Sequence, residues 1–115
     1  MNKVVHSNKT PYGHTTSIIL EDGYAYVMVT IMESNPGDAL IHDIVVHKDR
    51  RGGGLGKLLL EEACEEARNL GAKVAILSVE PGSWLEEWYI RHGFNPTGAV
   101  EKIYGNEHIV LQKEL

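Results

Sequence analysis

The residues with the clearest capacity for chemistry run from His47 through Lys48, Asp49, Arg50, Arg51, Gly52, Gly53, Gly54, Leu55 and Gly56 to Lys57. They follow an apolar run, Leu40 to Val46, and lead into a helical pattern, Leu55 to Leu70. A strand therefore ends in a basic, glycine-rich turn that opens a helix. Glycine lets backbone approach a ligand closely and take up positive φ, and the first amides of a helix lack internal acceptors. With the helix dipole worth roughly half a charge at that end, such a turn suits a phosphate. Arg50, Arg51, Lys48 and Lys57 add positive charge around it. Two phosphate motifs fail against the letters. A Walker A loop needs glycine at 51 and Ser or Thr after Lys57, where Arg51 and Leu58 stand. A dinucleotide fingerprint needs glycine at 57 or 59, where Lys57 and Leu59 stand.

Arg51-x-x-Gly54-x-Gly56 does resemble the Arg/Gln-x-x-Gly-x-Gly/Ala acetyl-coenzyme A loop of the GNAT superfamily of N-acetyltransferases, and Asp43 to Asp49 resembles that family's fourth strand and its exit. Farther on, Trp88-Tyr89-Ile90-Arg91-His92-Gly93-Phe94 is similar to the family's aromatic-Tyr-x-x-x-Gly-Phe stretch. The fourth strand and loop most resemble glucosamine-phosphate N-acetyltransferases, which carry Glu-Asp where this chain has His42-Asp43. The resemblance implies an α/β (α+β) fold: a mixed, mostly antiparallel central sheet with a parallel βαβ unit and flanking helices. It also implies acetyl-CoA as cofactor, its pyrophosphate held by Arg51, Lys57 and the amides of Gly52, Gly53, Gly54, Leu55 and Gly56. The backbone of Ile44, Val45 and Val46 would pair with the pantetheine, and acetyl would pass directly to a primary amine such as an aminosugar, a polyamine or a protein amine.

The chain departs from the family pattern in two places. Members usually begin with a strand and two helices that wall the acceptor site, and the residues before His14 are too few for both. An asparagine often found seven residues before the motif tyrosine is here Gly82, with Ser83 beside it. The first departure predicts an acceptor side that is open or completed by a partner subunit; the second removes one cofactor contact but not the phosphate site.

An alkylamine with pKa near 10.4 is mostly charged at neutral pH, so deprotonating it costs about 4 to 5 kcal/mol. A base is useful. His42 and Asp43 are neighbours on one strand and should point to opposite faces, so only one can face the site. His42 aligns with the glutamate of the aminosugar enzymes, and imidazole is a competent base near neutrality; Glu33 and Glu80, at strand ends, are the alternatives. At the leaving thiolate, the matching tyrosine, Tyr89, can act as the acid, because a phenol stays protonated at pH 7.

These groups need elements to position them. The chain has 115 residues, enough for one domain spanning 1–115. Residues 1 to 13 show no clear periodicity, and Thr10-Pro11-Tyr12-Gly13 reads as a turn. His14 to Leu20, Tyr24 to Met32 and Ala39 to Val46 read as strands, the first two joined by a hairpin at Asp22-Gly23. Leu55, Leu59, Ala63, Ala67 and Leu70 mark a helix that Gly71 stops. Lys73 to Val79 is a buried strand, which implies a right-handed crossover and parallel neighbours. Ser83 to His92 is a short helix with Ser83 and Glu86 as a capping box. Gly98 to Tyr104 and His108 to Lys113 form a hairpin.

A formal net charge of −5, with bases gathered only around 48 to 57, argues against nucleic acid as a partner. The remaining negative field favours a cationic amine. No apolar run is long enough for a membrane helix and the polar start lacks a signal core, so the expected address is cytoplasmic. A single cysteine, Cys64, agrees with a reducing compartment and reads as a helix packing residue. The pairs His42/His47 and His92/His108 are not accompanied by a tight metal-ligand cluster, so no metal is expected. Trp84, Trp88 and the last hairpin offer apolar surface for a homodimer. The leading reading is an N-acetyltransferase; a coenzyme A-binding or partner-binding module of the same fold is the alternative.

Overall fold

The computed structural model describes residues 2–115. Its centre is β3 (Ala25–Met32), whose alternation sends Ala25, Val27, Val29 and Ile31 into the core and leaves Tyr26, Met28, Thr30 and Met32 on the opposite, half-covered face. β2 (Gly13–Leu20) pairs antiparallel on one side of it and β4 (Asp38–Val46) on the other. From β4 the chain crosses through α1 (Leu55–Asn69) to β5 (Val74–Val79), which lies parallel to β4. α2 (Trp84–Arg91) then leads to β6 (Asn95–Ile103) and β7 (Asn106–Glu114). β7 inserts between β5 and β6, so the seven strands of the described residues form one sheet in the order β1-β2-β3-β4-β5-β7-β6. The mixed, mostly antiparallel sheet with one parallel pair is the expected fold class.

α1 folds as its apolar stripe dictates, burying Leu59, Leu60, Ala63, Cys64 and Ala67 against the β3 core face. Gly71, at φ +90°, ends it: its amide donates to the Arg68 carbonyl and that of Ala72 to the Ala67 carbonyl, a Schellman closure. α2 adds Tyr89 to the same core, with Phe94 just beyond its end. The other sheet face, which carries Thr15, Ser17, Met28, Thr30, Leu40 and His42 in register, receives neither helix.

Two expectations change here. The opening residues are not irregular: β1 (Lys3–Thr10) pairs along its whole length with β2. Every residue of β1 is exposed, so no face is buried and no alternation marked it. The last hairpin is longer than its pattern, because Asn95 to Gly98 is edge strand exposed throughout.

Candidate active site

Two local events in β4 build the site. Tyr26 pairs with Val45 and Met28 with His42, so Asp43 and Ile44 both stand opposite Val27. That is a β-bulge, and it holds Asp43 at φ +54°. The second event is the parting of β4 from β5. Only Asp38, Ala39 and Leu40 find ladder partners there, in Val74, Ala75 and Ile76. Beyond them the β5-facing backbone of Ile44, Val45 and Val46 has no strand beside it, and a cleft of about 590 Å³ opens. His42, Asp43, Ile44, Glu80, Tyr89 and Glu101 are among its walls.

The bulge corrects the expectation that His42 and Asp43 face opposite ways. Simple alternation fails where an extra residue is inserted; both side chains line the cleft, with His42 Nδ1 3.1 Å from Asp43 Oδ2. His42 Nε2 lies 2.7 Å from Thr30 Oγ1, which in turn lies 2.9 Å from Thr15 Oγ1. Of the other candidate bases, Glu80 lines the cleft. Glu33 lies past the far end of β3, next to Tyr12, and does not.

Just past the C-terminal end of β4 the glycine turn offers the free donors that an anion requires. Gly52 and Gly54 sit at φ +85° and +83°, conformations that glycine takes without strain. Gly54 is the N-cap of α1 and supplies no side chain; the first intrahelical bond is from the Leu58 amide to the Gly54 carbonyl. Among the described residues, the amides of Gly52 through Lys57 therefore have no backbone acceptor. Arg51 Nε donates to the Val46 carbonyl at 3.1 Å. The Arg50 guanidinium stacks on Tyr24 at 4.2 Å, and Lys57 faces Glu61 at 4.0 Å.

α2 ties turn and cleft together. Ser83 Oγ accepts from the Glu86 amide, and the Glu86 carboxylate accepts from the Gly82 amide at 2.7 Å, one residue earlier than a standard capping box. This fixes the helix so that Trp88 packs over Gly56 while its neighbour Tyr89 lines the cleft. Tyr89 is 4% exposed, and burial pushes its phenol up to about 12. No hydrogen bond ties its hydroxyl to another described residue, and it is not a buried orphan, so the group is available at the cleft.

Val45, Val46 and the turn residues 51 to 57 lie outside the cleft walls, continuing from them along β4. Sequence reasoning missed Thr30, Ser78, Glu101 and His108. Thr30 could have been found on the outer face of β3. Ser78 and Glu101 come into hydrogen-bond contact because β7 inserts beside β5, while Glu101 pairs with His108 across the β6–β7 hairpin.

The splayed parallel pair, the partnerless turn and the buried tyrosine lie together along the C-terminal half of β4. The acetyltransferase (GNAT) domain family matches residues 13–96, and the chain belongs to that family. Among solved structures, an acyl-CoA N-acyltransferase from Pseudomonas aeruginosa superimposes with a TM-score of 0.72 at 28% identity, over 88% of this chain and 69% of the other. A GNAT family acetyltransferase from Elizabethkingia anophelis with acetyl-CoA bound gives 0.72 at 16% identity, over 99% of both chains. The IAA acetyltransferase from Bacillus cereus gives 0.69 at 18% identity, over 99% of this chain and 100% of the other. No protein of curated function matches the sequence significantly.

Proposed function

We propose that the chain is an acetyl-CoA-dependent N-acetyltransferase that passes acetyl directly to a primary amine. One observation carries this: a run of partnerless amides from Gly52 to Lys57 continues, along the unpaired edge of β4, into a cleft walled by Tyr89 and His42. The amides and Arg51 fit a pyrophosphate. The edge at Ile44, Val45 and Val46, free of a neighbouring strand and contacted, among the described residues, only by Arg51 Nε at the Val46 carbonyl, fits an extended amide-bearing arm that pairs as a strand does. Acetyl-CoA supplies an acyl thioester whose carbonyl an amine attacks, with a thiolate leaving.

The chain's own residues then do three things. The cleft holds the amine in place, and orientation accounts for most of the acceleration. His42 takes the ammonium proton, with Glu80 on the same cleft as the alternative base. Tyr89, protonated across the physiological range, donates to the departing sulfur. Asp43, Glu80 and Glu101 give the cleft a negative field that favours a cationic acceptor such as a polyamine, an aminosugar or an exposed protein amine. The resemblance of His42-Asp43 to the Glu-Asp of glucosamine-phosphate N-acetyltransferases is the reason to include aminosugar phosphates among the acceptors tested.

The uncovered sheet face beside His42 favours a second reading, a coenzyme A-binding module that uses this face for a partner. Free-thiol release from acetyl-CoA with a panel of amines separates the two, because the module binds cofactor yet releases no thiol above the blank. We retain a single cytoplasmic domain as part of the proposal, and a homodimer as well. Trp88 is packed over Gly56, so the apolar surface for pairing rests on Trp84 at 72% exposure, Val100 and Tyr104. Light scattering tests that pairing.

A further inference from the structure

We infer that Thr30 is the hydroxyl through which the amine's proton reaches His42, with Asp43 as the positioning residue that sets the direction of the chain. The inference rests on the proposed base role of His42 and adds the route. Both ring nitrogens of His42 are engaged, Nδ1 with Asp43 Oδ2 at 3.1 Å and Nε2 with Thr30 Oγ1 at 2.7 Å. A carboxylate can only accept, so Nδ1 carries the hydrogen. In the neutral ring Nε2 is then the acceptor, and Thr30 must donate to it. The Thr30 oxygen, its own proton so committed, accepts from Thr15 Oγ1 at 2.9 Å and keeps one lone pair free.

An amine therefore does not meet a bare imidazole lone pair. It meets the Thr30 oxygen. As the ammonium N–H bond breaks, its proton forms a new O–H bond on Thr30, and the proton Thr30 held passes to Nε2. The products are a neutral amine, an intact hydroxyl and an imidazolium whose charge faces Asp43; no electrons are exchanged. Asp43 can reach the ring only because the bulge places it at φ +54°, a conformation open to few residues besides Gly, Asn and Asp. Thr30 stands on the open sheet face beside the cleft, so the amine approaches from the side neither helix covers.

The test uses the full chain with acetyl-CoA and whichever of spermidine, glucosamine 6-phosphate or a lysine peptide turns over fastest, together with 15N NMR of the His42 ring. Thr30→Val removes the hydroxyl while keeping a β-branched strand residue. Its turnover should fall about 100-fold, to the level of His42→Ala, while the ring stays in the Nδ1–H form. Thr30→Ser should recover turnover to within about threefold, since it restores the hydroxyl. Asp43→Asn, which still suits the left-handed backbone, should abolish the single tautomer and slow turnover. Should His42→Ala turn over like the parent, the base role itself fails. Should His42→Ala be slow and Thr30→Val normal, the base stands and the route through Thr30 is overturned. A resting ring protonated at Nε2 overturns the route whatever the activity.

Discussion

Arg51 Nε donates to the carbonyl oxygen of Val46, 3.1 Å away, so the side chain that opens the glycine turn also closes the end of β4. The bond leaves the two terminal nitrogens of the guanidinium unpaired among the described residues, beside the free amides. One residue thus fixes the turn and offers charge to whatever the turn holds.

Arg51→Ala should weaken coenzyme A binding about 10-fold at low ionic strength, in line with the loss of one charge-assisted bond. The difference from the parent should shrink as salt rises, because an exposed charge is screened. Titration calorimetry at two ionic strengths reads both. Equal affinities at low salt would take Arg51 out of the site.

Gly54→Ala and Gly56→Ala should part company. Gly54 sits at φ +83°, where a Cβ costs roughly 1–2 kcal/mol. At Gly56 an added Cβ meets Trp88 at 3.6 Å, an ordinary contact, and alanine is the better helix former. Urea unfolding should show the first variant destabilised by about that amount and the second at or slightly above the parent.

Tyr89→Phe should lower turnover at least 10-fold and leave coenzyme A affinity nearly intact, because the ring still fills its place in the core. With its phenol pushed up to about 12, Tyr89 gives no falling alkaline limb below pH 10. A rate profile that declines between pH 8 and 10 in the parent, and not in the variant, would contradict that assignment.

The same shift makes a stability statement. Its folded value is raised, so the contribution is fully present below the unfolded value near 10 and is lost as pH climbs toward about 12. Across that window the parent should lose on the order of 2 to 3 kcal/mol that Tyr89→Phe does not lose. Denaturant curves at pH 9 and 11.5 check the difference in slope.

Much of this architecture is written in local pattern. The alternation of Ala25, Val27, Val29 and Ile31, the stripe on α1 and the Ser83–Glu86 cap each report one element, and each element forms where they say. The failures are of another kind. β1 carries no burial signal because neither of its faces is buried. The bulge at Asp43 and Ile44 is a property of pairing with Val27, and a single strand's letters do not announce it. For the same reason the Thr30–His42 contact, made across two strands, and the meeting of Ser78 with Glu101, made across the inserted β7, appear only when register is known. The turn from Gly52 to Gly56 is legible because glycine itself signals the positive φ that the backbone takes at Gly52 and Gly54.

Acetyl-CoA binding, measured by titration calorimetry with a parallel thermal melt, tests the glycine turn and the edge of β4 together. The expected result is saturable one-to-one binding, and a melting temperature raised by several degrees when ligand exceeds Kd about 100-fold, equivalent to about 2.7 kcal/mol. Acetyl-pantetheine, which lacks the pyrophosphate, should bind far more weakly. No heat and no shift with acetyl-CoA or coenzyme A would contradict the proposed function.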